Sequence, residues 1–158
     1  MIFFDDMRVG ERMDLGRHTF TAEEIKTFAR HYDPQAFHLD EEAAARSHFG
    51  ALCASGWHTA AVCMRLLVET RKRLTQAARE RGQPVAEYGV SPGIRDVRWT
   101  KPVYAGDTIA YACEIVELRA LASRPGWGLL RTRCTGTNQR GQLVYSVVGS
   151  VFVRGRPE

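Results

Sequence analysis

The stretch from Ser55 to Arg81 limits the fold of this chain more than any other. Ser55 is a good N-cap, and the pattern behind it predicts one helix from Gly56 to about Arg81, roughly 39 Å long at 1.5 Å per residue. Its first half, Trp57 to Val68, is apolar nearly all the way round. A half-helix of that kind has to be buried on most sides. The second half carries Glu69, Arg71, Lys72, Arg73, Arg79, Glu80 and Arg81, so it is expected to emerge into solvent. Gly82 and Pro84 stop the helix.

What covers the apolar half has to come from the rest of the chain. After residue 87 the pattern changes to strands and turns. Val90-Ser91-Pro92-Gly93 is a turn, Ile94 to Thr100 a strand, and Pro102 stops it. Ala105-Gly106-Asp107 turns again before a long alternating strand from Thr108 to about Leu121. Ser123 to Gly126 is the next turn, and strands follow at Trp127–Asn138 and Gln142–Val153 around a tight turn at Arg140-Gly141. Consecutive strands joined by short turns imply an antiparallel meander.

Ahead of the long helix, Val9-Gly10-Glu11 reads as a turn and Arg12 to Phe20 as a strand. Thr21 with Glu24 forms a capping box for a helix to Tyr32 whose Ala22, Ile25, Phe28 and Ala29 share one face. A short helix follows from Glu41 to about Ser47, then a linker from Phe49 to Ala54. Helices first and an antiparallel sheet after them make an α+β arrangement, in which one long helix and one sheet bury each other. There is no internal repeat or linker to divide it, so residues 1–158 are expected to form a single domain.

Composition narrows the partners. At 158 residues and 44% hydrophobic, one sizeable core is affordable. A net charge of +4 without a basic arm argues against nucleic acid, while an anionic small molecule fits. The longest apolar run, Thr59 to Val68, is interrupted by Arg65 and too short to span a membrane. Cys53, Cys63, Cys113 and Cys134 include no C-x-x-C pair, and the start of the chain has no basic region followed by an apolar run. The expectation is a cytoplasmic protein with reduced thiols. His31, His38, His48 and His58 lack a recognised ligand spacing, so no metal is expected.

Chemistry concentrates in Tyr32-Asp33-Pro34-Gln35-Ala36-Phe37-His38-Leu39-Asp40. Pro34 pushes Asp33 towards extended backbone, which ends the preceding helix and places Asp33 and His38 on a bend. A bend can bring a carboxylate and an imidazole to one point, where they hold a water and move protons at neutral pH. The same residues also read as caps: Asp33 before Pro34 suits an N-cap, and Asp40 with Glu41 and Glu42 suits another. Elsewhere, His58 reads as a structural or dimer-interface residue and Trp57 as packing. His31 and His48 read as surface residues. Arg71-Lys72-Arg73 reads as a solvated helix face or a contact for the phosphates of an anionic small molecule. Cys53 has no positioned base to make it a nucleophile.

On the run from Phe28-Ala29 through Asp33, His38, Leu39 and Asp40, the chain resembles the MaoC-like dehydratases, also called R-specific 2-enoyl-CoA hydratases, which have the hot-dog fold. That family's motif is an Asp, four residues, a His, an apolar residue and commonly an acid. Arg98-Trp99-Thr100-Lys101-Pro102-Val103 with Gly106-Asp107 is similar to the family's strand-turn segment. The resemblance covers nearly the whole chain. It implies an antiparallel sheet wrapped on a central helix, catalysis by Asp33 and His38, and a thioester oxygen bound by the backbone amide of Gly56, next to Ser55. It also implies a homodimer or higher oligomer and a coenzyme A thioester as substrate, with no separate cofactor. The chain departs from the family at Gln35 and Ala36, where Asn-Pro is usual. It departs also at Ser55, where a His is frequent, and at Met64, where some members have a serine. Two other readings stay open: a hot-dog thioesterase, and a non-catalytic acyl-CoA-binding partner subunit.

Overall fold

The structure is a computed structural model that describes residues 3–157. Residues 1, 2 and 158 of the expected domain lie outside the described residues. After a single 3-10 turn at Phe4–Asp6, the elements are β1 (Arg12–Thr19), α1 (Ala22–Tyr32), α2 (Ala36–Leu39), α3 (Glu41–Arg46), α4 (Gly56–Glu80), β2 (Gly93–Trp99), β3 (Thr108–Ala120), β4 (Trp127–Thr137) and β5 (Leu143–Arg154). Thr21 caps α1 by accepting from the Glu24 N–H, Asp40 caps α3 through the Ala43 N–H, and Ser55 caps α4 through the Trp57 N–H. Each side-chain cap satisfies an amide that the first helical turn leaves unpaired.

The five strands form one antiparallel sheet in the order β1-β3-β4-β5-β2. The meander expectation holds for β3, β4 and β5 and fails for β2. Instead of pairing with β3, β2 crosses to the far edge and pairs with β5. The connection from Thr100 to Asp107 is no hairpin. It runs past the segment that leads into α4, where the Ala54 N–H donates to the Val103 carbonyl at 2.8 Å and the Ala105 N–H to Leu52 at 3.0 Å. Turn residues announce that the chain bends there, but not which edge the next strand joins.

The core lies between α4 and the sheet. Val62, Cys63 and Leu67 of α4 meet Ile109, Tyr111, Cys134, Val144 and Tyr145, and Phe20 and Ile25 close one end. Fully burying a side chain such as Ile109 stabilises by about 1.5–3 kcal/mol. The Tyr111 hydroxyl donates to the Thr59 carbonyl at 3.1 Å, so the helix is also pinned at a polar point.

The expectation of reduced thiols is corrected. Cys113 and Cys134 are joined by a disulfide, leaving Cys53 and Cys63 as the free thiols among the described residues. The two positions are direct neighbours across β3 and β4, a register that a 21-residue separation in sequence does not reveal. The first half of α4 is buried on most sides, as its pattern implies, but one side stays open. Trp57, Met64 and Val68 are 57%, 55% and 40% exposed, and with Ala61 they form one apolar stripe at helical spacing.

Candidate active site

The end of α1 shapes the site. The Asp33 N–H closes the helix by donating to Ala29 at 2.9 Å, and Pro34 prevents continuation. The Gln35 N–H then donates to the Asp33 carbonyl at 2.8 Å, which turns the chain back on itself. The bend expected for both residues holds only Asp33. His38 stands on the one-turn helix α2 and is buried, at 5% exposure.

Asp33 Oδ2 and His38 Nε2 lie 3.5 Å apart. The other ring nitrogen, Nδ1, is 2.7 Å from the Cys53 carbonyl oxygen. A carbonyl only accepts, so Nδ1 carries a hydrogen, and Nε2 is the ring nitrogen left to face Asp33 and exchange a proton. Cys53 thus orients the imidazole through its backbone, while burial raises its thiol to about 11.

The Asp33 carboxylate is itself held from two sides. Its Oδ1 accepts from the Gln35 amide at 2.8 Å. Burial pushes its pKa up, but hydrogen bonds from the Ser55 hydroxyl and from Gln35, together with the charge of His38, outweigh this and hold it below the ordinary Asp value. Ser55 is almost fully enclosed, at 1% exposure. Its oxygen accepts from the Trp57 N–H at 3.2 Å, so one hydroxyl joins the cap of α4 to the acid of the site.

These groups line a cavity of about 400 Å³ that also includes Phe37, Phe49, Gly56, Trp57, Trp99 and Lys101. Gly56 begins α4, and its N–H has no hydrogen-bond partner among the described residues. A helix N-terminus carries partial positive charge and favours an anionic atom. The α-carbon of Gly56 faces an indole: a Cβ built there would stand 2.6 Å from the Trp99 ring, and Trp99 Nε1 donates to the Gly56 carbonyl at 2.8 Å. The sequence marks Trp99 only as one residue of a strand-turn segment. Trp57, expected to be packing, packs its ring edge-on to Trp99 at 5.0 Å and stays 57% exposed at the rim.

A second group of ionisable side chains lies along β1, α1 and α4. Glu24 pairs with His18 and lies 3.7 Å from His58 Nε2. His58 is stacked on Phe28 at 4.6 Å, and burial pushes its pKa down to about 4, so the ring is neutral. It packs within the fold and lines no part of the Asp33–His38 cavity. His31 and His48 are exposed. Among the described residues no group of three or more His, Cys, Asp or Glu is placed to hold a metal ion, and no helix is long and apolar enough to cross a membrane.

An antiparallel five-stranded sheet packed on one long helix is the hot-dog fold, and here an acid and an imidazole meet at the start of that helix. The family profile described as the MaoC like domain matches residues 6–125. The chain belongs to the MaoC-like dehydratase family. Its structure is similar to that of the MaoC-like dehydratase from Rhodospirillum rubrum, with 37% identity, a TM-score of 0.83 and full coverage of both chains. It is similar also to a monoamine oxidase regulatory protein from Archaeoglobus, with 29% identity, a TM-score of 0.82 and coverage of 99% of this chain and 96% of that one. A mesaconyl-CoA hydratase from Cereibacter sphaeroides is 38% identical over 64 residues, which span 40% of this chain and 18% of that protein.

Proposed function

We propose that the protein is an acyl-CoA hydratase or dehydratase that adds water reversibly across a 2-enoyl-CoA thioester to give a 3-hydroxyacyl-CoA. The observation that carries this reading is the 3.5 Å approach of Asp33 Oδ2 to His38 Nε2 in a cavity that the start of α4 also lines. Membership of a dehydratase family supports it.

In the hydration direction Asp33 is the base. A carboxyl held below its ordinary value is ionised at neutral pH and accepts readily. It takes a proton from the water as the water oxygen attacks the β-carbon. His38, protonated at Nε2 and anchored at Nδ1 by Cys53, gives its proton to the α-carbon. The proton on Asp33 then crosses to His38 Nε2, which restores both groups, and their titrations are coupled. The thioester oxygen gains negative charge along the way and is met by the Gly56 N–H at the positive end of α4. Ser55 acts by holding Asp33. The reaction uses a coenzyme A thioester as substrate and needs no separate cofactor.

The test is a spectroscopic assay of the purified protein over a panel of 2-enoyl-CoA thioesters. The expected result is loss of enoyl absorbance with a 3-hydroxyacyl product. Release of free coenzyme A thiol from saturated acyl-CoA instead would assign a thioesterase. Tight binding without turnover would assign a non-catalytic partner subunit.

We propose further that the working form is a homodimer or higher oligomer in the cytoplasm. Strand β2 is a free sheet edge with Ile94 57% and Trp99 43% exposed, and the α4 stripe of Trp57, Met64 and Val68 is open beside it in sequence order. Unpaired edges and open apolar faces are ordinarily covered. Light scattering at micromolar concentration should give at least twice the chain mass, and Ile94→Arg should lower it. A stable, folded monomer in the unmodified protein sinks the idea.

A further inference from the structure

A second cavity of about 400 Å³ lies between the last turns of α4 and strands β1, β3 and β4. It shares no lining residue with the Asp33–His38 cavity. That cavity touches α4 at Gly56, Trp57 and Thr59, whereas this one touches it at Arg71 and Leu74 and meets Arg81 just past its end. From Thr59 to Arg71 is roughly 18 Å along the axis at 1.5 Å per residue.

Its walls are apolar: Met7, Met13, Leu74, Ile115 and Leu130. Its charged groups are Arg12, Arg71 and Arg81 against the single acid Glu11. Arg71 is half-buried, with its guanidinium 4.9 Å from the centre of the Tyr88 ring. It makes no ion pair with a carboxylate among the described residues. Burial lowers its pKa, with the neighbouring Tyr88 opposing that shift. A partly desolvated cation without a counter-ion is costly, and an anion arriving beside it would be bound by charge-assisted, bidentate hydrogen bonds. Arg71 and Tyr88 also border an outer groove that carries Lys72 and Arg79. The approach is therefore cationic and the interior apolar.

We propose that this cavity binds a carboxylate with a single apolar chain, its head on Arg71 and its chain against Met13, Leu74, Ile115 and Leu130. The volume lies near the lower end of the range for small-molecule sites, which suits one chain. Two independent features, an unpaired cation and an apolar interior, call for the two ends of the same ligand.

The test is calorimetric titration of the full chain with decanoate, using decanol and free coenzyme A as comparisons. Decanoate should bind one per chain, and decanol should bind at least tenfold more weakly, because it lacks the charge. Arg71→Met keeps the apolar stem and removes the cation, and should weaken decanoate by about tenfold or more. Leu74→Trp narrows the cavity at a position that is 42% exposed, so the fold tolerates it, and should abolish binding. If Arg71→Met does not fold, Leu74→Trp decides alone. Absence of decanoate binding, equal binding of decanol, or binding that survives Leu74→Trp would each overturn the proposal. Displacement of decanoate by free coenzyme A would also overturn it, since the cations would then serve phosphates.

Discussion

Asp33→Asn and His38→Ala are each expected to lower hydratase turnover by about 10²- to 10⁴-fold, the usual contribution of a positioned acid or base. The reason is geometric. Oδ2 and Nε2 are 3.5 Å apart, close enough for both groups to act on one substrate and for a proton to pass between them. The amide in Asp33→Asn keeps the size of the side chain but no longer accepts a proton. The double variant should be little worse than either single one, because the two groups act as a unit. Stability should separate the variants. His38→Ala leaves the buried Cys53 carbonyl without its donor, which costs about 1–3 kcal/mol. Asp33→Asn should melt close to the parent at neutral pH and behave differently in acid. The Asp33 carboxyl is held below the ordinary value of 3.8, so its stabilisation is present above that pH and is lost as the pH falls through the lowered value. The Asn variant lacks that loss. Near-normal turnover with an unchanged melting temperature, in either single variant, would remove the pair from the reaction.

Gly56→Val should block the thioester oxygen from reaching the amide of residue 56, lowering kcat by about 10²- to 10³-fold, the usual effect of losing an oxyanion donor, and weakening acyl-CoA binding. A side chain at position 56 has nowhere to go while Trp99 is in place, since its first carbon would stand 2.6 Å from the indole. The ring must swing out, losing its bond to the Gly56 carbonyl and moving into the cavity that the substrate needs. Some loss of melting temperature follows from that alone. Trp99→Ala distinguishes packing from catalysis. In that background Gly56→Val has room, so the melting temperature should recover while turnover stays low. If turnover recovers together with the melting temperature, Gly56 is a packing glycine and has no part in binding the thioester oxygen.

The long helix, its Ser55 cap, the capping box at Thr21 and the alternating strands were all legible because each depends on neighbours a few residues away. Period, capping and turn chemistry are local, and they place α1, α4 and β3 to β5 within a residue or two of their observed ends. Asp33 and His38 stood out for the same reason: a proline between an acid and an imidazole is a local signal. The crossing of β2 to the far edge was not legible, nor were the pairing of Cys113 with Cys134 or the Trp99 ring on Gly56. Each joins segments 20 or more residues apart, and nothing in the local pattern reports strand order or register. The tautomer of His38 belongs with them, because it is set by a carbonyl 15 residues away. So does the exposure of α4. The apolar pattern of Trp57 to Val68 calls for burial on most sides, but only the placement of the sheet shows which stripe is left open. A residue's period says how much surface wants to leave water; the path of the rest of the chain decides which part of it does.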